Sequence, residues 1–333
     1  MKNDKCFIIA EIGGNFLNFS QAKKLIDLAK KARVDAVKLQ TFNADTLTSK
    51  IAMFDMQNTG KVSTYELSKK YQINDELHKK IFKYCKSKKI ECFSTPSHYS
   101  DVDFLEKFKV KYHKIGSDDA INIPFLKYVA KTKKEIILST GMCNLDEIKK
   151  SAKTILKYNK KLSILHCVSD YPADRKKINL NVIHTLKKQF PKVRIGFSDH
   201  TLGPLASLCA VALGAKVIEK HFTYNKKLAG PDHMLSLDFN ELKWLVDSIR
   251  DFEIMAGNGK KIPTKAEKKN AKNNRKSVVA IKNIKKGEIF SLNNIGIKRP
   301  GSGIKPEGIY KILNKKSNSN VRFDDLIKWS DIK

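Results

Sequence analysis

The chain has 333 residues, 41% of them hydrophobic, and a formal net charge of +31. Its length suits a barrel of about 250 residues plus a small second domain, and no apolar run approaches the ~20 residues of a membrane span, which argues against a membrane protein. The charge does not describe a nucleic-acid reader, because only seven of the 65 basic residues are arginine and the lysines are spread along helices and turns without an aromatic stripe; the field instead favours an acidic small substrate.

Taken in chain order, eight short apolar runs mark strands: 7–10, 36–39, 90–93, 110–115, 135–138, 162–165, 193–197 and 216–218. Each ends in polar residues, beginning with Glu11, then Lys38 with Gln40, Ser94 with Thr95, Lys114 with Ser117, and Ser139 with Thr140. His166, Ser198 with His200, and Glu219 with His221 close the last three. Stretches with helical spacing lie between the runs, for example Ala22, Leu25, Ile26 and Ala29, or Ile148, Ala152 and Ile155. Alternation of this kind predicts a parallel sheet, and eight repeats in roughly 220 residues predict a closed (β/α)8 TIM barrel with its polar groups at the C-terminal mouth. An open doubly wound sheet is the alternative, but Gly13-Gly14 lacks the spacing and the following helix start of a dinucleotide fingerprint.

The first residues run directly into the first strand without an apolar leader, so a cytoplasmic address is expected. Six cysteines scattered without CxxC spacing read as reduced core thiols. After a helix expected from about Asn240 to Met255 the apolar periodicity stops, and a Lys- and Asn-rich stretch with Pro263 reads as a linker. The domains are therefore expected at 1–258 and 275–333, joined by 259–274. The second is a compact unit of short strands around 277–281, 284–290, 295–298 and 324–329, with a core so thin that it should dock on something.

His200 and His221 end consecutive strands, and two imidazoles side by side suit a divalent ion with open positions for water and substrate. Asp199 or Glu219 would either orient an imidazole or form a buried ion pair. Lys38 and Lys114 stand in apolar strands, where an ammonium needs an anion. Beside the hydroxyls of Thr95, Ser117 and Ser198 they would form a phosphate and carboxylate pocket, unless they pair with Glu11, Asp118 or Asp119. Glu11, Asp119 and Asp232 near the mouth are candidates for holding sugar hydroxyls or moving protons, and Glu11 leads because it directly ends a strand.

Motifs in one continuous order carry a family resemblance. Ala10-Glu11-Ile12-Gly13, VKLQTF from Val37 to Phe42, Phe93-Ser94-Thr95-Pro96, Lys114 to Ser117, LSTGM from Leu138 to Met142, His166-Cys167, FSDHT from Phe197 to Thr201, VIEKHFT from Val217 to Thr223, and Gly230-Pro231-Asp232-His233 resemble the sialic acid synthase family. Arg275-Lys276-Ser277 and the stretch from Lys298 to Ile304 resemble the entry to that family's antifreeze-like (SAF, β-clip-type) domain.

The resemblance implies condensation of phosphoenolpyruvate with an N-acyl hexosamine such as N-acetylmannosamine, giving a nine-carbon 2-keto acid and phosphate. It implies a divalent ion, Mn2+ or Mg2+, on His200 and His221. Phosphoenolpyruvate would be held by Lys38, Thr95, Lys114, Ser117 and Ser198, with Glu11, Asp119, Tyr171 and Asp232 around the sugar and Gln40 in the substrate-binding set. Arg299 matches an arginine that the small domain of one subunit inserts into the barrel of another, which implies a domain-swapped homodimer. The sequence departs from the family pattern at Asn15-Phe16-Leu17-Asn18, where NHxG is common, and at Gly116-Ser117-Asp118-Asp119, where many members carry GSGE. Both changes bear on sugar contacts, so acceptors leading to N,N'-diacetyllegionaminate or pseudaminate remain alternatives. Rivals of another kind are a non-catalytic barrel binding carbohydrate or polyanions and a Schiff-base aldolase using Lys38 or Lys114.

Overall fold

A computed structural model describes residues 5–56 and 60–333 of the chain; the expectation drawn from the first four residues lies outside them. Twelve strands among these residues are numbered in chain order. β1 (Phe7–Glu11), β2 (Ala36–Thr41), β5 (Glu91–Pro96), β6 (Tyr112–Ile115), β7 (Glu135–Ser139), β8 (Leu162–Cys167), β9 (Arg194–Asp199) and β10 (Val217–His221) are all parallel and close into a barrel in the order β1-β10-β9-β8-β7-β6-β5-β2. The eight apolar runs are these eight strands, and the open doubly wound alternative falls with the closure. β3 (Met53–Met56) and β4 (Gly60–Ser63) form an antiparallel hairpin between β2 and β5. Its residues alternate too weakly in polarity for the sequence pattern to have flagged it.

Strand alternation sorts the barrel interior into layers. At the bottom, the tilted rings of Phe7 and Tyr112 lie 5.2 Å apart beside an Arg194–Glu135 ion pair of 3.0 Å. Two residues further along, Ile9, Ala36, Phe93, Ile137, Leu165 and Val217 form a sealed apolar disc, against which Tyr112 of β6 packs. Gly196 completes this level because nothing larger fits: a Cβ there would lie 2.3 Å from the Val217 carbonyl oxygen and 2.5 Å from Leu165 Cδ2. Two residues further again stand Glu11, Lys38, Thr95, Lys114, Ser139, Cys167, Ser198 and Glu219, one from each strand, and all eight line a cavity of about 510 Å³. The main core lies outside the barrel, between strands and helices, where Ile8, Leu25, Ile26, Ile136, Ile155, Phe197 and Ile218 pack to full burial.

The chain divides into two compact units, 1–256 and 257–333. The last barrel helix runs Phe239–Ala256. The stretch read as a linker is not wholly irregular, since it contains a helix, Lys265–Asn274, started by a capping box in which Thr264 accepts from the Glu267 amide at 3.1 Å and Glu267 accepts from the Thr264 amide at 2.6 Å. Its side chains are exposed on every face, which is why apolar periodicity gave no sign of it. Beyond it, β11 (Ser277–Ala280) and β12 (Ile295–Lys298) pair antiparallel over a small core of Val278, Phe290, Ile295, Ile312 and Ile327. The expected strand pieces at 284–290 and 324–329 appear only as isolated bridges, Ile284 to Val321, Ile289 to Lys316 and Val279 to Leu326. All six cysteines are free thiols, and no helix among the described residues is long and apolar enough to cross a membrane.

Candidate active site

The upper polar layer holds charge in two opposed pairs. Lys38 forms an ion pair with Glu11 and donates to Thr95 Oγ1 at 2.7 Å, while Lys114 lies 3.6 Å from Glu219, which accepts from Ser198 Oγ at 3.3 Å. All four charged residues are at most 5% exposed. In this structure Lys38 therefore takes Glu11, one of the carboxylates the sequence offers it, and Lys114 takes one that spacing does not suggest. Buried polar capacity nevertheless stays unfilled: Glu11 Oε1 and Ser139 Oγ have no hydrogen-bond partner, and Glu219 Oε2 has only the Lys114 ammonium at 3.6 Å. Such atoms are costly unless a ligand or water completes them.

The carboxylates diverge electrostatically. Burial lifts Glu11 to about 7, and the Glu219 charge adds to the rise against the pull of Lys38. Burial pushes Glu219 up as well, but Lys114, Lys38 and His200 outweigh it and hold Glu219 below the usual carboxylate value. Burial works against the Lys38 ammonium, yet Glu11 and Glu219 keep it above the ordinary lysine value. Lys114 falls below that value because burial outweighs Glu219.

One level higher, His200 and His221 face each other with ring centroids 5.5 Å apart, and Tyr171 lies 4.1 Å from the His200 ring and 6.4 Å from that of His221. His200 Nδ1 donates to the Val168 carbonyl at 2.9 Å, which leaves Nε2 with its lone pair; Cys167 Sγ is 3.8 Å from the same Nδ1. His221 Nδ1 is buried without a hydrogen bond, 3.6 Å from Asp232 Oδ2. Burial, then the charges of His200 and Lys38, keep His221 well below the ordinary imidazole value and hence neutral. Burial opposes protonation of His200 too, but Cys167 and the Val168 carbonyl raise it above the ordinary imidazole value.

Among the described residues no group of three His, Cys, Asp or Glu is arranged to hold a metal. Two fixed imidazoles with one orphaned ring nitrogen still fit a divalent ion that takes its remaining positions from substrate and water.

Gly13 and Gly14 turn β1 away at this level. Gly14 has φ +76°, and a side chain at either would strike a carboxylate, Glu11 Oε1 at 2.4 Å from Gly13 or Asp232 Oδ2 at 2.8 Å from Gly14. The pair makes room for the acids instead of cradling a dinucleotide.

Most residues singled out from the sequence meet here. Glu11, Lys38, Gln40, Thr95, Lys114, Ser117, Tyr171, Ser198, His200, His221 and Asp232 all line the cavity, and burial lifts Asp232 to about 6. The exception on the barrel is Asp119. Its carboxylate accepts from Asn122 Nδ2 at 2.8 Å, and its neighbour Asp118 lines the cavity instead. Arg299 is exposed on the second unit. Sequence spacing does not single out Ser139 and Cys167 as site residues, and of its two readings for Glu219, orienting an imidazole or forming a buried ion pair, the structure has the ion pair, with Lys114. Their parity with the apolar disc, two residues beyond Ile137, Leu165 and Val217, is the signal that would have found them.

Sequence spacing also missed one whole wall. Phe42, Leu47, Phe54, Leu67 and Tyr71, all from the segment between β2 and β5, give the cavity an apolar side. Tyr71 reaches the loop that carries Asp232, where a Cβ on Gly230 would come within 3.1 Å of the Tyr71 hydroxyl.

Comparison with known proteins shows what the chain is similar to. The NeuB family matches residues 25–261 and the SAF domain residues 275–333. The chain is 42% identical to the N,N'-diacetyllegionaminic acid synthase of Campylobacter jejuni, covering 97% of this chain and 99% of that one. It is 39% identical to a pseudaminic acid synthase of Campylobacter jejuni, covering 99% and 97%. The crystal structure of the N-acetylneuraminic acid synthetase of Leptospira borgpetersenii, in complex with citrate, superposes with a TM-score of 0.73 at 32% identity, covering 80% of this chain and 90% of that one.

Proposed function

Because the chain belongs to the NeuB family and carries a SAF domain at its C-terminus, we propose that it condenses phosphoenolpyruvate with the open-chain form of an N-acyl hexosamine, releasing phosphate and a nine-carbon 2-keto acid. It is an enzyme of the transferase type. The observation that carries the reading is the polar layer, where two lysines, three hydroxyls and two glutamates sit directly beneath a pair of imidazoles in one cavity.

Lys38 and Lys114, helped by Thr95, Ser117 and Ser198, bind the phosphate and carboxylate, and an arriving anion would offset the burial that holds Lys114 below the ordinary lysine value. Tyr171 and Asp232 position the sugar, with Gln40 beside them. A divalent ion, Mn2+ or Mg2+, held by His200 and His221 would supply polarisation of the aldehyde oxygen. C3 of phosphoenolpyruvate then bonds to the aldehyde carbon, water adds at C2, and phosphate leaves as the C2–O bond breaks. Glu11 exchanges protons with the attacking water and the new hydroxyl, a role suited to a carboxyl lifted to about 7 beside a counter-charge. Asp119, held by Asn122, joins the site as catalytic acid only if its loop turns inward; Asp118 is already in place. Arg299 of a second subunit's small domain would complete the mouth in a domain-swapped homodimer working in the cytoplasm.

For the acceptor, N-acetylmannosamine is the simplest fit to the polar groups. The apolar wall of Leu47, Phe54, Leu67 and Tyr71 favours a second reading, 2,4-diacetamido-2,4,6-trideoxymannose, whose C6 methyl lacks the hydroxyl that such a wall would leave without a partner and whose second acetamido group adds a further methyl.

Phosphate release from phosphoenolpyruvate with Mn2+, run in parallel with both sugars, tests the proposal. Turnover with either supports the reaction and the ratio identifies the acceptor; silence with both removes it. Borohydride trapping of Lys38 or Lys114 would instead support the Schiff-base reading.

A further inference from the structure

Strand alternation points the residues next to the two imidazoles away from the cavity, and there it places a second ion pair. Asp199 precedes His200 and Lys220 precedes His221, and the two are Cα partners in the β9–β10 ladder. Both are fully buried, with Lys220 Nζ 3.2 Å from Asp199 Oδ2. Asp199 Oδ1 accepts from the Thr201 amide and the Thr201 hydroxyl, each at 2.8 Å, and Oδ2 accepts from Ser207 Oγ at 2.7 Å. Lys220 Nζ donates to the Thr201 carbonyl. The amide, carbonyl and hydroxyl of Thr201 are thus all consumed by the pair, so His200 sits between two clamped residues. His221 follows directly on the lysine that completes the clamp.

A buried ion pair is a poor device for stability, since apolar residues of similar volume often do as well or better. What it supplies here is geometry. From this we infer that Asp199 and Lys220 are positioning residues that fix the spacing of His200 and His221 for a shared divalent ion, a role resting on the metal reading above.

The test is Mn2+ titration by calorimetry of the full-length chain stripped with chelator, alongside kcat and KM for phosphoenolpyruvate and thermal midpoints. Lys220→Met and Asp199→Asn should weaken Mn2+ binding by about ten- to a hundredfold, the usual consequence of removing a group that orients a metal ligand. At saturating Mn2+ their KM for phosphoenolpyruvate should stay near native. Ser207→Ala, which removes one bond to Asp199, should weaken Mn2+ by about twofold to fivefold. Asp35→Asn serves as the control. Asp35 accepts from Arg250 and from the Ile8 amide, each at 2.8 Å, near the opposite end of the barrel, so its loss should lower the midpoint and leave Mn2+ affinity unchanged.

Native Mn2+ affinity in folded Lys220→Met and Asp199→Asn overturns the inference. If neither folds, Ser207→Ala decides alone, and native affinity there overturns it equally. Failure of the native chain itself to bind Mn2+ is a different result, one that removes the metal reading and this inference with it.

Discussion

Glu11 and Glu219 face the same cavity from adjacent strands, yet their carboxyls are displaced in opposite directions. Burial lifts Glu11 to about 7, while for Glu219 the same burial is overcome by Lys114, Lys38 and His200. Under the proposed reaction, two acids of the same type, pushed apart by their surroundings, would divide the labour of a proton carrier and a fixed counter-charge.

For Glu11 the consequence is kinetic. Glu11→Gln should lower kcat by about a hundredfold to ten-thousandfold, the usual contribution of a positioned acid or base. If Glu11 acts as the base, native kcat/KM rises with pH through about 7 as it ionises, and the variant loses that limb. A pH–rate profile of both proteins checks it; an unchanged limb near pH 7 in the variant assigns the ionisation to another group.

Asp119 provides a pH test of stability away from the imidazoles. Burial raises it from 3.8 to about 6, so the folded state holds the proton more tightly than the unfolded chain does. The associated stability is fully present below about pH 4 and is lost as pH rises through about 6. Asp119→Asn, which can still accept from Asn122, should therefore gain on the native protein across that window, by on the order of 1 kcal/mol after discounting for partial exposure. Denaturant titrations at pH 4 and pH 7 measure the difference, and equal offsets at both values would refute it.

Gly196 is held to glycine by its neighbours. With the Val217 carbonyl oxygen 2.3 Å from the position of a Cβ, Gly196→Ala must shift β10 against β9 at a cost of about 1–3 kcal/mol. A thermal midpoint within 1 °C of native, an interval about the size of measurement error, would show that the barrel yields more easily than close packing allows.

The apolar wall gives a specificity prediction. Leu67→Asn should raise KM for the diacetamido-trideoxy acceptor by about tenfold relative to N-acetylmannosamine, the scale on which one lost apolar contact discriminates substrates. Steady-state kinetics with the two sugars decide it, and an equal change for both would place the wall away from the distal carbons.

The barrel was legible because each strand carries its own burial pattern locally: Phe7, Ile9 and Glu11 point inward and Ile8 and Ala10 outward whatever the rest of the chain does. His200, His221 and the two lysines were legible because charged or ligating groups inside apolar runs demand partners. Which partner each lysine takes was not, since Lys114 and Glu219 are distant in sequence and meet only through barrel closure. The hairpin of β3 and β4 and the wall that includes Tyr71 escaped notice because their apolar residues cover a cavity from above, without the regular period of a packed face. The helix Lys265–Asn274 escaped for the opposite reason, having no buried face at all, although Thr264 and Glu267 spell its start.

The apolar disc formed by Ile9, Phe93, Ile137, Leu165 and Val217 has a consequence for traffic. It makes the cavity a blind well, sealed below and open only at the mouth. A molecule seated against Lys38 and Lys114 must enter before anything rests between Tyr171 and the apolar wall above it, and it can leave only after that upper guest has gone. Under the proposed reaction the anion would thus be first in, the sugar second, and the joined product would have to vacate the mouth before phosphate could escape.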